Sequence, residues 1–259
     1  MESYVRAIFA DKRGPADTDA APSDTSGIHI DIHSFSELVL WPWGDKNSPA
    51  PNGAGLQTLG RKFAQFNGYR PQQSIGLYPT DGTTDSVSYS ELGVAAYTFE
   101  LGTSFFQSCS VYLNEILPDN LQALIYAAKV AGLPYITPSG PDITNISFEN
   151  NAKSLSIPRG SSANLEVTAS DDRFSKRNGI EPTQNIRAIE YTVNTPPWKE
   201  SIVKFSMTPK DGAFNEVDES AVATISTDGL SSGRNTIYVR AQDESGTWGS
   251  VSAIFLDIE

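Results

Sequence analysis

Apolar positions along this chain switch between a helical and a strand period in its first half and keep to the strand period in its second. Tyr4, Val5, Ile8 and Phe9 share one side of a short helix over Glu2 to Lys12, stopped by Arg13-Gly14-Pro15. Ala16 to Ser26 is small and polar, the composition of a loop. Ile28, Ile30 and Ile32 then alternate with His29, Asp31 and His33, a period of two that predicts a strand. Leu38 to Trp41 is a second apolar run, closed by Pro42 and by turn material from Gly44 to Gly55. Leu56, Leu59, Phe63 and Phe66 predict a helix with one buried face, ending at Gly68. Ile75 to Tyr78 reads as a further strand leading into a turn-rich loop, Pro79 to Asp85. Val94 to Leu101 has few polar residues and reads as a buried strand with Glu100 at its end. Asp119 is placed to N-cap a helix whose buried face is Leu121, Leu124, Ile125 and Ala128, with Gly132 and Pro134 closing it. This alternation predicts an α/β domain over residues 1–134.

The texture changes at Pro134 to Pro141, a Pro/Gly-rich stretch that assigns residues 135–141 to a linker. No helical period follows it. Short β-rich runs occupy Ser154 to Ile157, Ala163 to Ala169, Ile186 to Val193, Val203 to Met207, Val222 to Thr227, Thr236 to Ala241 and Val251 to Leu256. About seven strands separated by turn signals predict an all-β sandwich over residues 142–259.

Composition narrows the function classes without choosing one. A chain of 259 residues with 39% hydrophobic content has the make-up of a folded globular protein. Its net charge of -12 argues against nucleic acid or an anionic membrane as the main partner. The single cysteine, Cys109, allows no internal disulfide framework and reads as a buried or disulfide-bonded residue rather than a nucleophile. No apolar run reaches membrane-spanning length, and the first residues lack the pattern of a signal peptide, which taken alone suggests the cytoplasm.

Few constellations can carry chemistry with two histidines in the chain. His29, Asp31 and His33 alternate on one strand face, so they either converge on one ion or form the less apolar face of a strand under a helix. Glu100, at the end of its strand, is a lone carboxylate whose ordinary role is pairing with a basic neighbour. In the second half, Asp171, Asp172, Asp211 and Asp243 are calcium-ligand candidates or, more simply, solvated turn acids.

Three ordered segments add a resemblance. Ile30 to Gly44, with its His-Ser-Phe-Ser and Trp-Pro-Trp-Gly, resembles the zinc carboxypeptidases, the pancreatic-type metallocarboxypeptidases and their bacterial relatives. Leu77 to Asp85 and Tyr97 to Gly102 resemble two further segments of that family, in the same order and at matching spacing. The resemblance covers the chain up to about Pro134. It implies that His33 is a zinc ligand and that Glu100 is the general base, at a strand end where desolvation lifts its pKa. It implies further that Tyr78, Asp85 and Ser34 bind substrate, Tyr78 closing over the C-terminal residue. Asp85 falls where the family places a carboxylate for Lys or Arg side chains, although Ser86 beside it leaves a turn residue displaced by one as the other reading.

The family's remaining zinc ligands come from a His-x-x-Glu motif, and neither His29 nor His33 is followed by Glu at the third position. The chain therefore reads as the C-terminal half of a catalytic domain, expected neither to hold zinc nor to hydrolyse peptides alone. On this reading the partners are peptide or protein C-termini. The parent protein is secreted or periplasmic, with any leader lying upstream, and Cys109 pairs with a cysteine of the other half. Residues 142–259 resemble the immunoglobulin-like or fibronectin-like modules that follow secreted bacterial hydrolases, with Tyr238, Val239 and Trp248 as packing residues. The alternative is a non-catalytic secreted binding or spacer protein built on the sandwich.

Overall fold

A computed structural model describes residues 2–259. It resolves into two units, one formed by the chain up to Ser139 together with Phe174–Pro182, the other by Gly140–Arg173 and Thr183–Glu259.

In the first unit, α1 (Glu2–Ile8) buries Val5 against Leu92 and Val94. β1 (Ile28–His33) and β2 (Leu38–Trp41) follow as their alternation and apolar run predict. α2 (Gly53–Asn67) places Leu56, Leu59 and Phe63 in the core. It lies close to the sheet at Gly60, where a Cβ would stand 2.7 Å from the Trp41 ring. β3 is Arg70–Gln73, not Ile75 to Tyr78, where a short 3-10 turn (Ser74–Gly76) stands instead. Its parallel register with β2, Leu38 opposite Arg70, makes a strand of a polar segment that has no apolar alternation of its own.

α3 (Thr84–Leu92) was also outside the expected pattern, because only Val87, Tyr89 and Leu92 are large and apolar in it. The turn-rich loop therefore stops short of Asp85, which sits in the first turn of this helix. β4 (Ala95–Glu100) is buried as expected. The sheet order is β1-β4-β2-β3, with β4 parallel to β1 and antiparallel to β2.

The last helix departs most from expectation. α4 (Cys109–Val111) runs through a π-type turn, Tyr112–Ile116, into α5 (Leu117–Val130). The N-cap is Ser108, whose Oγ accepts from Val111 N at 3.2 Å, and Asp119 lies inside the helix. The buried face is Asn120, Ala123, Tyr126, Ala127 and Val130, whereas Leu121, Leu124 and Ile125 are exposed. Cys109 is an exposed free thiol, not a buried one. Among the described residues no helix is long and apolar enough to cross a membrane.

The second unit holds nine strands in two sheets: β5 (Asp142–Phe148), β6 (Ser154–Ile157), β7 (Ser162–Ser170), β8 (Ile186–Val193), β9 (Phe205–Ser206), β10 (Thr208–Pro209), β11 (Asp218–Ser226), β12 (Gly233–Asp243) and β13 (Ser252–Ile258). The sheets are ordered β10-β11-β7-β5 and β6-β13-β12-β8-β9, and their inward residues share one core with Leu165, Ile189, Ile237 and Leu256 fully buried. β5 was not anticipated, and Val203 to Met207 yields only the two-residue β9. Val239 is core, and Trp248 stacks under the Arg240 guanidinium at 4.0 Å. The turn acids are used locally: Asp243 Oδ1 accepts from Ser245 Oγ and Thr247 N, and Asp171 Oδ2 accepts from Gln184 N.

Candidate active site

Parallel pairing of β1 with β4 sets His33 directly beside Glu100 at the carboxyl ends of both strands. Ile28, Ile30 and Ile32 share a face with Ala95, Tyr97 and Phe99, and Ile28 and Ile30 pack against the core under α2 and α5. His29, Asp31 and His33 take the opposite face, the one on which α3 lies. His29 Nδ1 is 2.7 Å from Ser88 Oγ of that helix.

A cleft of about 240 Å³ opens at the strand ends, its walls including Asp31, His33, Ser74, Tyr78, Asp85 and Glu100. Asp85 is its buried carboxylate, 1% exposed, held at the start of α3 where the helix dipole favours negative charge. Ser74 Oγ donates to the Trp41 carbonyl at 2.9 Å and also lies 3.0 Å from Asp85 Oδ2. Tyr78 is exposed at the rim. Ser34 does not line this cleft; it lines an adjoining open groove with Ile32, Phe105, Phe106 and Tyr112, and His33 borders both. Asp31, Thr84 and Thr98 line the cleft although the motif comparison did not single them out. Asp31 was visible as the middle member of the His-x-Asp-x-His alternation, but nothing in sequence tied Thr84 to it.

The two carboxylates on this sheet face are tuned in opposite directions. Burial works against the charged form of Asp31, but the Thr84 hydroxyl and the neighbouring His33 and His29 outweigh it and hold its carboxyl below the ordinary value. His33 Nε2 stands 3.2 Å from Asp31 Oδ2. Burial pushes the Glu100 carboxyl up; His33 draws it partly back and Asp31 pushes it further up. Separation of this kind is how a site keeps one carboxylate charged and readies another for proton transfer.

The sign of a pH effect follows. A group whose folded-state pKa is raised contributes stability below its unfolded pKa and loses that contribution as pH rises through the folded one. Glu100→Gln is therefore expected to flatten the fall in denaturant-derived stability as pH climbs past the ordinary 4.5. An unchanged slope in that variant would show that Glu100 is not displaced.

Residues 19–123 match the family described as zinc carboxypeptidase, and that span contains His33, Ser34, Tyr78, Asp85 and Glu100. Over this segment the chain is similar to the zinc carboxypeptidases. The chain is 44% identical over 79 residues to a zinc carboxypeptidase of Saccharothrix mutabilis subsp. capreolus, covering 28% of this chain and 18% of that one. It is 28% identical over 123 residues to carboxypeptidase B of Helicoverpa zea, covering 40% and 28%. A third similarity, 36% over 95 residues, is to AA9 family lytic polysaccharide monooxygenase H of Botryotinia fuckeliana, covering 32% and 22%. The chain thus spans less than a third of the length of each of these relatives.

A catalytic zinc takes three protein ligands. In the matched segment His33 offers one imidazole, and His29 faces Ser88. Among the described residues no group of three His, Cys, Asp or Glu side chains is placed to hold a metal ion. The residues present do not make up the ligand set by themselves.

Proposed function

We propose that the carboxypeptidase segment carries the general base and the C-terminal-residue pocket of a metallocarboxypeptidase, with a preference that extends to basic C-terminal residues. One observation carries this reading: Glu100 and His33 stand side by side at a cleft whose buried carboxylate is Asp85, inside the span that matches the family. Glu100, raised by desolvation, suits proton transfer between water and a leaving amine. Tyr78 at the rim has the exposure needed to close over a bound residue. Asp85 supplies a desolvated negative charge that a Lys or Arg end group would satisfy and an apolar one would leave unpaired. His33 is the metal-ligand candidate. With one imidazole where three ligands are needed, this chain alone holds no catalytic zinc and turns over no peptide. We take the substrates to be peptide or protein C-termini and the parent protein to be exported. The second unit's two sheets around one core support an immunoglobulin-like module.

Calorimetric binding of N-benzoyl-Gly-Arg and N-benzoyl-Gly-Leu, run alongside metal analysis, tests the reading. The arginine ligand is expected to bind about tenfold more tightly, and Asp85→Asn to erase that difference. Zinc is expected well below one equivalent. Stoichiometric zinc with turnover would overturn the incomplete ligand set, and an arginine preference that survives Asp85→Asn would overturn the pocket.

A further inference from the structure

With only Val87, Tyr89 and Leu92 as large apolar residues, α3 has little burial to fix its place on the sheet. Two side chains of β1 supply what is missing. His29 Nδ1 is 2.7 Å from Ser88 Oγ, and the Thr84 hydroxyl donates to Asp31 Oδ2. The two pitches match: residues i and i+2 of a strand stand about 6.6 Å apart on one face, and residues i and i+4 of a helix about 6 Å. The later strand residue meets the earlier helix residue, so α3 runs antiparallel to β1 along this face.

Sliding α3 along β1 by one residue, or turning it by one, breaks both pairings and leaves Ser88, 1% exposed, desolvated without this partner. Thr84 opens the helix and Asp85 follows it, one peptide or about 3.8 Å further along the backbone. Ser74 Oγ, 3.0 Å from Asp85 Oδ2, then aims the carboxylate from another wall of the cleft. Asp31 Oδ2 also stands 3.2 Å from His33 Nε2. One carboxylate thus links the helix start that carries Asp85 with the strand end that carries His33.

We propose that His29 and Asp31 are positioning residues for the specificity pocket. Through Ser88 and Thr84 they dock α3 in the one register that brings Asp85 to the cleft. The preference for basic C-terminal residues depends on that docking, a consequence that rests on the reading of Asp85 as the pocket carboxylate. Thr84 lines the cleft itself, whereas Ser88 lies buried one helical turn away. Loss of preference on changing Ser88 therefore reports position, not contact with ligand. A ratio of two affinities is also indifferent to general destabilisation, because a smaller folded fraction weakens both ligands alike.

Calorimetry with N-benzoyl-Gly-Arg and N-benzoyl-Gly-Leu, together with hydrogen exchange of α3, tests the proposal on the full chain. Ser88→Ala and Thr84→Val are each expected to cut the arginine preference from about tenfold to about threefold. Thr84→Ser, which keeps the hydroxyl, is expected to retain it. The amides from Val87 onward, bonded within the helix from the contact of Val87 N with the Thr83 carbonyl, are expected to exchange about tenfold faster in the first two variants and at the parental rate in the third. Should Thr84→Val fail to fold by circular dichroism, Ser88→Ala carries the same expectation. A full preference in the folded hydroxyl-less variants, where Asp85→Asn abolishes it, would overturn the proposal. A parent without arginine preference, or one that keeps it in Asp85→Asn, would instead overturn the pocket. The exchange of α3 then decides the docking by itself: acceleration in Ser88→Ala and Thr84→Val upholds it, and parental rates in both overturn it.

Discussion

Replacing Glu181 by alanine is expected to lower the stability of the first unit by about 3–5 kcal/mol, the cost of stranding a buried partner charge. The segment Phe174–Pro182 belongs to this unit, and its anchor is the contact of Glu181 with Arg61 of α2. Arg61 Nε lies 3.2 Å from Glu181 Oε1, with both side chains nearly inaccessible to water. Gln57 Nε2 donates to Oε1 and Thr58 Oγ1 to Oε2, each at 2.9 Å, so both carboxylate oxygens are occupied. The guanidinium also donates to the Asn178 carbonyl at 2.9 Å. The backbone at Gly179 passes so close that a Cβ there would lie 2.3 Å from Arg61 Nη2, and its φ of +117 suits glycine alone.

Removing the carboxylate leaves a desolvated cation and takes the acceptor from Gln57, whereas Thr58 Oγ1 keeps the Ala54 carbonyl at 3.0 Å. Removing both charges, as in Arg61→Met with Glu181→Leu, is expected to recover most of the loss, because the pair's attraction is largely offset by its desolvation. Urea unfolding of the two variants provides the check. A single-variant loss under about 1 kcal/mol would mean that the pair behaves as an exposed one.

Those interactions show where sequence pattern stops being informative. β1, β2, α2 and β4 are legible because each has to bury one face or both, and apolar spacing records that requirement. α5 misleads for a physical reason. Its buried face combines the small Ala123 and Ala127, which let it approach α2, with Tyr126, Val130 and a polar link, while Leu121, Leu124 and Ile125 point outward. Asn67 Nδ2 donates to Asn120 Oδ1 and Asn120 Nδ2 to Tyr69 Oη, each at 3.1 Å. An asparagine that satisfies its bonds in the core cannot be told from a surface one by spacing.

The candidate site divides along the same line. His33 and Glu100 were recognisable as strand-end residues, and the parallel register that sets them side by side is a property of the sheet. Asp85 appeared as a turn residue because α3 has too few apolar positions to announce itself. Ser34 shares the motif with His33 but follows it by one residue, and it lines only the adjoining groove, whereas His33 borders both.

Truncating Phe63 to alanine is expected to cost about 3–5 kcal/mol, with Phe63→Leu costing less than half of that. Phe63 is fully buried, its ring 5.1 Å from Tyr97, 5.3 Å from Phe99 and 6.5 Å from Tyr126, all edge-on. One side chain therefore joins α2, β4 and α5. The loss combines transfer of the ring to water, a cavity the surrounding rings cannot close, and three aromatic contacts. Tyr97 restricts that collapse, because its hydroxyl is tied to the Leu56 carbonyl at 2.9 Å. Denaturant titration at neutral pH measures the effect, and a loss below about 1 kcal/mol would place the centre of the core elsewhere. The same variant separates scaffold from site. Phe99 faces Phe63 while Glu100, the next residue, points to the opposite side of the sheet, so the pH response of Glu100 is expected to persist in Phe63→Ala wherever the protein remains folded.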